Sequence, residues 1–307
     1  MELQQHLDEI RKEGLGVAAI SYDSVGALKS FADRQHITYP LLSDPDSKII
    51  RAFDILNETT KPGTPTYGIP YPGIYVVDAQ GKVLSKYFED DYKDRVSTAD
   101  ILARQFGAPA SAAQRVNETK YLKLTTSASN DLARPGLRIA LSLKIELKPG
   151  MHLYAPGVQG YIPIDWQLED GGPAAKRHAF KYPASEMLRL EAIDETVPVY
   201  RGRIRIEREI TFGQETALKP LVDASGELVV KGSFRYQACD DRKCYLPQDV
   251  GLEWHFKCEG LDRQRAPSEF QRTFVHSSVS ANGRGRDICE NSGRHHQGRR
   301  QYDRDRT

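Results

Sequence analysis

The clearest hydrophobic pattern in the chain is an unbroken alternation near its middle. Every second residue from Leu137 to Leu147 is leucine or isoleucine, and the positions between them are mostly polar. This period of two predicts a strand with one buried face. Weaker versions of the pattern recur at 204–210 and at 250–258, with turn-forming sequences between them. Several short strands with almost no helical period predict an all-β sandwich over residues 118–260.

Residues 1–106 carry a different pattern, in which short apolar runs alternate with segments of helical spacing. Leu3, Leu7 and Ile10, for example, recur at the spacing of one helix face. The order of elements predicts an α/β layered domain with a mixed sheet. The predicted elements are helices over the first 13 residues, after Ser24, over 47–53 and from Ser97, strands at 17–22 and 38–43, and a hairpin over 74–88.

Two further segments lack either period. Residues 107–117 are rich in alanine and serine and are predicted to form a linker. Residues 261–307 contain ten arginines, no lysine and six acidic residues, and few aliphatic side chains. We expect this tail to be disordered, because it cannot bury enough apolar surface to fold. A basic arm for nucleic acid is the functional alternative, but no interleaved aromatic residues support it.

Composition narrows the class of protein. The 307 residues are 28% charged and 39% apolar with a net charge of +1, which is typical of a soluble globular protein and gives no general attraction to nucleic acid. No apolar run is long enough for a membrane span, and the N-terminus does not resemble a signal peptide. The residues alone leave the compartment undetermined. We find no cofactor motif and no set of metal ligands, so neither a cofactor nor a metal is expected.

The strongest candidate for chemistry is the segment Cys239-Asp-Asp-Arg-Lys-Cys244, which follows an apolar run that reads as a strand. Four polar residues between the cysteines predict a chain reversal. A reversal this short can bring the two Cα atoms within the ~4.4–6.8 Å that a disulfide needs. The closed loop would be so small that the bond would stabilise the fold by only about 2 kcal/mol. Such a bond suits a disulfide that is made and broken in function.

Other interpretations of the cysteines stay open at this point. The pair could be an ordinary hairpin disulfide or two reduced thiols, and a zinc site is disfavoured because no second Cys/His pair lies at ligand spacing. Cys258 continues an alternating strand and is predicted to be a small residue on its buried face. Cys289 lies in the polar tail and is predicted to have no role.

Residues 1–106 resemble the peroxiredoxin (AhpC/TSA) branch of the thioredoxin superfamily. The resemblance rests on Gly14-Leu-Gly-Val-Ala-Ala-Ile-Ser-Tyr-Asp-Ser, Tyr39-Pro-Leu-Leu-Ser-Asp-Pro and Ile69-Pro-Tyr-Pro-Gly-Ile-Tyr-Val-Val-Asp-Ala-Gln-Gly-Lys-Val. It implies an incomplete thioredoxin-like domain in which Pro72 matches the cis-proline of the family. The cysteine of the family is missing, since no cysteine precedes Cys239. Either the chain is truncated at its N-terminus or this domain does not catalyse peroxide reduction.

Residues 118–258 resemble the N-terminal domain of the DsbD thiol:disulfide interchange proteins. The resemblance rests on Tyr236-Gln-Ala-Cys-Asp-Asp-Arg-Lys-Cys-Tyr-Leu-Pro, with weaker support from Met151-His-Leu-Tyr-Ala-Pro and Tyr161-Ile-Pro-Ile-Asp-Trp. It implies an immunoglobulin-like sandwich, an extracytoplasmic redox role and thioredoxin-like partners. Cys239 and Cys244 would be its exchanging pair, with Cys244 predicted as the resolving cysteine. Tyr154 and Asp165 are candidate neighbours of that pair.

Three functions therefore remain. The favoured one is an oxidoreductase that passes electrons to or from a thioredoxin-like partner through a mixed disulfide. In it, Arg242 and Lys243 would favour the thiolate, and Asp240 and Asp241 would oppose them. The second is an antioxidant peroxidase whose catalytic cysteine is missing from this chain. The third is a docking module without enzymatic activity.

Overall fold

The first region of the chain forms helices and strands in the predicted order. The computed structural model describes residues 2–64, 66–89, 93–106, 114–190 and 194–271. The first elements are α1 (Glu2–Gln5), α2 (Leu7–Lys12), β1 (Ala19–Ser21), α3 (Val25–Gln35), β2 (Leu41–Ser43), α4 (Lys48–Ala52), β3 (Gly73–Val77), β4 (Val83–Phe88), β5 (Arg95–Val96) and α5 (Thr98–Phe106). The α/β character of this region is thus confirmed.

Details of this region differ from the prediction. The first helix is divided at His6 into α1 and α2, although Leu7 and Ile10 are buried as expected. Ser24 caps α3 by accepting a hydrogen bond from the backbone N–H of Ala27 at 3.3 Å. The predicted mixed sheet is instead a parallel pair, β1–β2, and an antiparallel pair, β3–β4. The pairs stay separate because no described strand is hydrogen-bonded to both.

The second region is built from strands. They are β6 (Arg115–Glu118), β7 (Leu122–Ala128), β8 (Leu132–Ala133), β9 (Leu137–Leu147), β10 (His152–Tyr154), β11 (Asp165–Leu168), β12 (Ala175–Lys181), β13 (Glu186–Leu190), β14 (Glu195–Arg201), β15 (Arg203–Phe212), β16 (Glu227–Tyr236), β17 (Ala238–Cys239) and β18 (Gln248–Cys258). Short helical turns lie at Gly172–Ala174, Glu215–Leu218, Lys219–Leu221 and Ser268–Phe270. Within the described residues the strands form three sheets, ordered β12-β15-β9-β7-β6, β11-β16-β18-β8 and β13-β14-β10-β17.

The first two of these sheets pack on each other around one apolar core. Trp166 of β11 stacks on Trp254 of β18 with ring centroids 5.4 Å apart. Phe256 of β18 meets Phe212 of β15 edge to face at 5.2 Å, which joins one sheet to the other. The leucine and isoleucine face of β9 is buried in the same core from Leu137 to Ile145, and Leu147 is partly buried at its end. The predicted sandwich-type arrangement of a β-rich region is confirmed.

The two regions contact each other through strand pairing and buried ion pairs. Strand β5 pairs in parallel with the start of β9, which extends the sheet of the second region. Beside it, Glu209 of β15 lies in ion pairs with Arg104 of α5 and with Arg138 of β9. Arg138 also pairs with Glu89 at 2.8 Å. The described part of residues 1–272 accordingly belongs to one compact unit.

The predicted linker and tail differ from expectation where they are described. Residues 115–117, predicted as the end of the linker, lie in β6 because their backbone pairs with β7. Residues 261–271 run along α3, where Asp262 pairs with Arg34 at 3.0 Å and Ser24 donates to the carbonyl of Phe270. The remaining predicted linker (107–113) and tail (272–307, with Cys289) lie outside the described residues.

Candidate redox site

The two cysteines of the predicted reversal lie at the base of a tight hairpin. Strand β17 ends at Cys239, and Cys239 and Cys244 face each other in an antiparallel bridge. The backbone of Asp240 donates to the carbonyl of Lys243 at 3.0 Å, and that of Tyr245 donates to Ala238 at 2.9 Å. The predicted chain reversal is therefore confirmed.

Asp240 stabilises the turn between the cysteines. Its carboxylate accepts the backbone N–H groups of Arg242 and Lys243 at 2.8 and 2.9 Å and the hydroxyl of Tyr245 at 2.7 Å. These hydrogen bonds favour the charged form and lower the pKa of Asp240 to about 2, the largest effect coming from Tyr245. The turn thus carries a fixed negative charge beside the cysteines at neutral pH.

The two sulfurs are joined in a disulfide. The Sγ–Sγ distance is 2.02 Å and the two Cα atoms are 4.0 Å apart. Of the interpretations that spacing left open, reduced thiols and a zinc site do not describe this structure.

The two halves of this disulfide differ sharply in exposure. Cys239 is 1% exposed, because it packs in a small apolar cluster with Tyr154, Val197 and Val199. Cys244, on the returning arm of the hairpin, is exposed to solvent. Cys244 is therefore the more accessible residue of the pair, and which cysteine attacks and which resolves stays a prediction.

Tyr154 lies against the pair, as the sequence motif around it suggested. Its hydroxyl oxygen is 3.5 Å from the Sγ of Cys244, and a disulfide sulfur carries no hydrogen, so the tyrosine is the donor. Burial, with a smaller effect from Glu195, raises the pKa of Tyr154, which keeps the phenol protonated at neutral pH. The ring of Tyr161 packs over Tyr154 with centroids 4.4 Å apart.

His152 is a residue of this site that sequence reasoning missed. It is 2% exposed and lies directly opposite Cys239 in the β10–β17 pair. Its ring meets that of Tyr154 edge to face at 5.7 Å. The sequence could have indicated His152, because it lies two residues before Tyr154 and alternate residues of a strand share a face.

The other candidate residues lie apart from the sulfurs. Asp165 is in the sheet with β16, where its carboxylate accepts from the side-chain amide of Gln167 at 2.7 Å. Arg242 and Lys243 are exposed and contact Asp240 through their backbones, while the ammonium of Lys243 lies 5.0 Å from the Tyr245 ring centre. Their effect on a thiolate stays a prediction.

Two further predictions need correction or refinement. The peptide bond before Pro72 is trans, because the described residues contain no cis bond; Pro72 leads in extended form into β3. Cys258 is a free thiol that is half-buried against the core at the end of β18, and burial raises its pKa. The expectation that it acts as a small packing residue fits this position, although it is not fully enclosed.

Comparisons with known families match two separate parts of the chain. Residues 1–86 match the AhpC/TSA family, and residues 122–251 match the N-terminal part of thiol:disulfide interchange protein DsbD. The second match includes both cysteines of the disulfide.

Several proteins of known sequence are similar to a little under a third of the chain. The chain is 32% identical to peroxiredoxin Bcp of Escherichia coli K12 over 91 residues, which are 30% of this chain and 56% of that protein. It is 30% identical over 94 residues to alkyl hydroperoxide reductase C of Staphylococcus aureus (29% and 46%). The chain thus spans about half the length of the curated relatives it matches.

Two solved structures align with about half of the chain. The N-terminal periplasmic domain of ScsB from Proteus mirabilis aligns at a TM-score of 0.32 and 11% identity, covering 53% of this chain and 56% of that one. The reduced N-terminal domain of DsbD from Neisseria meningitidis aligns at 0.21 and 18%, covering 49% and 90%. Separately, in the part of the chain that the structure describes, no helix combines the length and apolarity needed to cross a bilayer.

Proposed function

We propose that this chain exchanges disulfides with thioredoxin-like proteins through Cys239 and Cys244. The observation that carries the proposal is the hairpin disulfide itself, which joins an exposed cysteine to a buried one. A thiolate of the partner attacks Sγ of Cys244, the Sγ–Sγ bond breaks, and its electron pair passes to Cys239. The second thiol of the partner then displaces Cys244 and completes the transfer of two electrons.

The surroundings of the pair support such a role for each sulfur. The hydroxyl of Tyr154 lies where it can donate to a thiolate on Cys244, and hydrogen bonds to charged groups are stronger than those to neutral ones. The apolar cluster around Cys239 keeps water and foreign thiols away from the second sulfur. The match of residues 122–251 to the DsbD family is consistent with this chemistry.

We place this activity in an oxidising compartment, because structural and catalytic disulfides persist there and are uncommon in the cytosol. For the first region we propose a docking role. Residues 1–86 of this region match the AhpC/TSA family. The first region's buried ion pairs with the second region support a fixed position against that region.

An equilibrium redox titration tests the proposal. The protein is equilibrated across a series of dithiothreitol ratios, and thiols are counted by alkylation and mass spectrometry. An exchanging pair should have a potential above about −300 mV, whereas a purely structural disulfide stays oxidised below that value. The unpaired Cys258 provides an internal control, since it should be alkylated to the same extent at every ratio.

A further inference from the structure

We propose that His152 is the proton acceptor for Cys239 when the disulfide re-forms, the reverse of the reduction described above, an inference that rests on the proposed function. The imidazole is 2% exposed, and neither ring nitrogen has a hydrogen-bond partner among the described residues. Buried polar groups are nearly always paired, and an exception calls for an explanation. A hydrogen-bond partner that forms only when the disulfide is reduced explains why the ring of His152 is unpaired in the oxidised protein.

The position of His152 fits such a partner. In an antiparallel pair, directly opposite residues place their Cβ atoms about 4.5–5.5 Å apart on the same face of the sheet. His152 is directly opposite Cys239, and Tyr154, on the same face of β10, contacts the other sulfur. The alternate residues Leu153 and Ala238 belong to the large core on the opposite face. The imidazole and Cys239 therefore share one buried surface.

Burial and the nearby positive charge keep the imidazole of His152 uncharged, so that it has a free acceptor nitrogen. Burial lowers its pKa, and so does Arg201, which lies opposite it on β14. Asp240 and Asp241 of the hairpin act in the other direction, with smaller effects. The imidazole is thus neutral at neutral pH, and one of its nitrogens is an acceptor.

In the resolving step, the proton and the electrons of Cys239 are both accounted for. When Cys244 is joined to a partner in a mixed disulfide, Cys239 is a buried thiol. A nitrogen of His152 takes the proton from this thiol as its sulfur attacks Sγ of Cys244. The new Sγ–Sγ bond forms, the bond to the partner breaks, and the partner leaves as a thiolate. The imidazolium then returns its proton to that thiolate, so one proton has moved from Cys239 to the partner.

The test follows this resolving step with oxidised glutathione as the disulfide. The reduced protein is mixed with glutathione disulfide, quenched with acid, and analysed by mass spectrometry for the mixed disulfide. We expect the His152→Phe variant to accumulate the glutathione adduct and to resolve it at least tenfold more slowly at pH 7, a modest effect for loss of a general base. The pH dependence of resolution should also change, which loss of packing alone would not cause. The matched control is His255→Phe on β18, which should resolve as fast as the unchanged protein.

Stability and a second measurement separate function from folding. Replacing an unpaired buried polar ring by an apolar one of similar size should leave the melting temperature unchanged or raise it. In the unsubstituted protein, the ring nitrogen resonances of His152 should shift between the oxidised and reduced forms. Unchanged resonances, or a resolving rate and pH profile in His152→Phe equal to those of the unchanged protein, would overturn the inference. Failure of the proposed function looks different, because no glutathione adduct would then form on Cys239 or Cys244 in any variant.

Discussion

Tyr154 holds its hydroxyl 3.5 Å from the sulfur of Cys244, and the two residues are 90 positions apart in the chain. One of them is almost fully buried and the other is exposed. The tyrosine therefore brings a fixed hydrogen-bond donor from the protein interior to the sulfur that a partner can reach. This contact, more than the disulfide alone, distinguishes the hairpin from an ordinary structural crosslink.

Removing that donor should slow exchange. In Tyr154→Phe we expect the rate at which a dithiol releases Cys244 from a mixed disulfide to fall by about tenfold, because a hydrogen bond to the departing thiolate contributes roughly 1.5 kcal/mol. Stopped-flow kinetics at several pH values provide the measurement. Tyr161→Phe is the matched control, since its hydroxyl bonds Glu195 and not a sulfur. Equal rates in the two variants would show that the contact does not act on Cys244.

Opening the disulfide should weaken the fold only slightly. The loop between Cys239 and Cys244 is short, so the chain-entropy estimate of the bond's contribution is about 2 kcal/mol. Urea unfolding of the oxidised and reduced protein should show this difference in the free energy of unfolding. A reduced protein that does not fold would mean that the disulfide is a structural requirement, which disagrees with a bond opened in function.

Asp240 should give the hairpin a defined dependence on pH. Its pKa is lowered to about 2 in the folded protein, against roughly 3.9 for an unperturbed aspartate. A lowered folded-state pKa stabilises the fold above the unfolded value, and this contribution disappears as pH falls through about 4 to 2. The unchanged protein should therefore be more stable than Asp240→Asn at pH 7, with the gap closing in that window. Thermal unfolding at a series of pH values measures it, and a gap that is constant with pH would contradict the assignment.

Glu209 should be important for joining the two regions. Its carboxylate is buried between Arg104 and Arg138, and the pairing with these arginines lowers its pKa to about 2 even though burial alone would raise it. Glu209→Gln leaves both guanidinium groups without their shared partner, and breaking a buried ion pair typically costs about 3 kcal/mol or more.

Urea unfolding compares this variant with Glu207→Gln, a change on the same strand. Glu207 pairs with Arg205 at the surface, so its loss should cost less than about 1 kcal/mol. The gap between unchanged protein and Glu209→Gln should shrink as pH falls from about 4 toward 2, since protonation removes the same charge. Equal stability of the two variants would show that the network does not hold the regions together.

Local patterns predicted the secondary structure well where they were regular. The alternation from Leu137 to Leu147 gave β9 with its observed ends, because a period of two directly marks a half-buried strand. The pairing of β5 with β9 had no such signal, since it depends on residues far apart in the chain. The division of the first sheet into two pairs was missed for the same reason.

The site was predictable in part. The spacing of Cys239 and Cys244 indicated the reversal, and the family resemblance offered Tyr154 and Asp165 as neighbours, of which only Tyr154 contacts a sulfur. Which sulfur is exposed depends on packing by β14, which the sequence near the cysteines does not encode. Arg242 and Lys243 adjoin the cysteines in sequence, yet the turn uses their backbones.

Trapping a mixed disulfide tests the central claim most directly. A thioredoxin-like protein with a single exposed cysteine, activated as a mixed disulfide with a small thiol, is incubated with reduced Cys239→Ser and, in parallel, with reduced Cys244→Ser. We predict a covalent complex with Cys239→Ser that persists and maps to Cys244, and little or none with Cys244→Ser. Complexes that form equally through both cysteines, or through neither, would contradict the account.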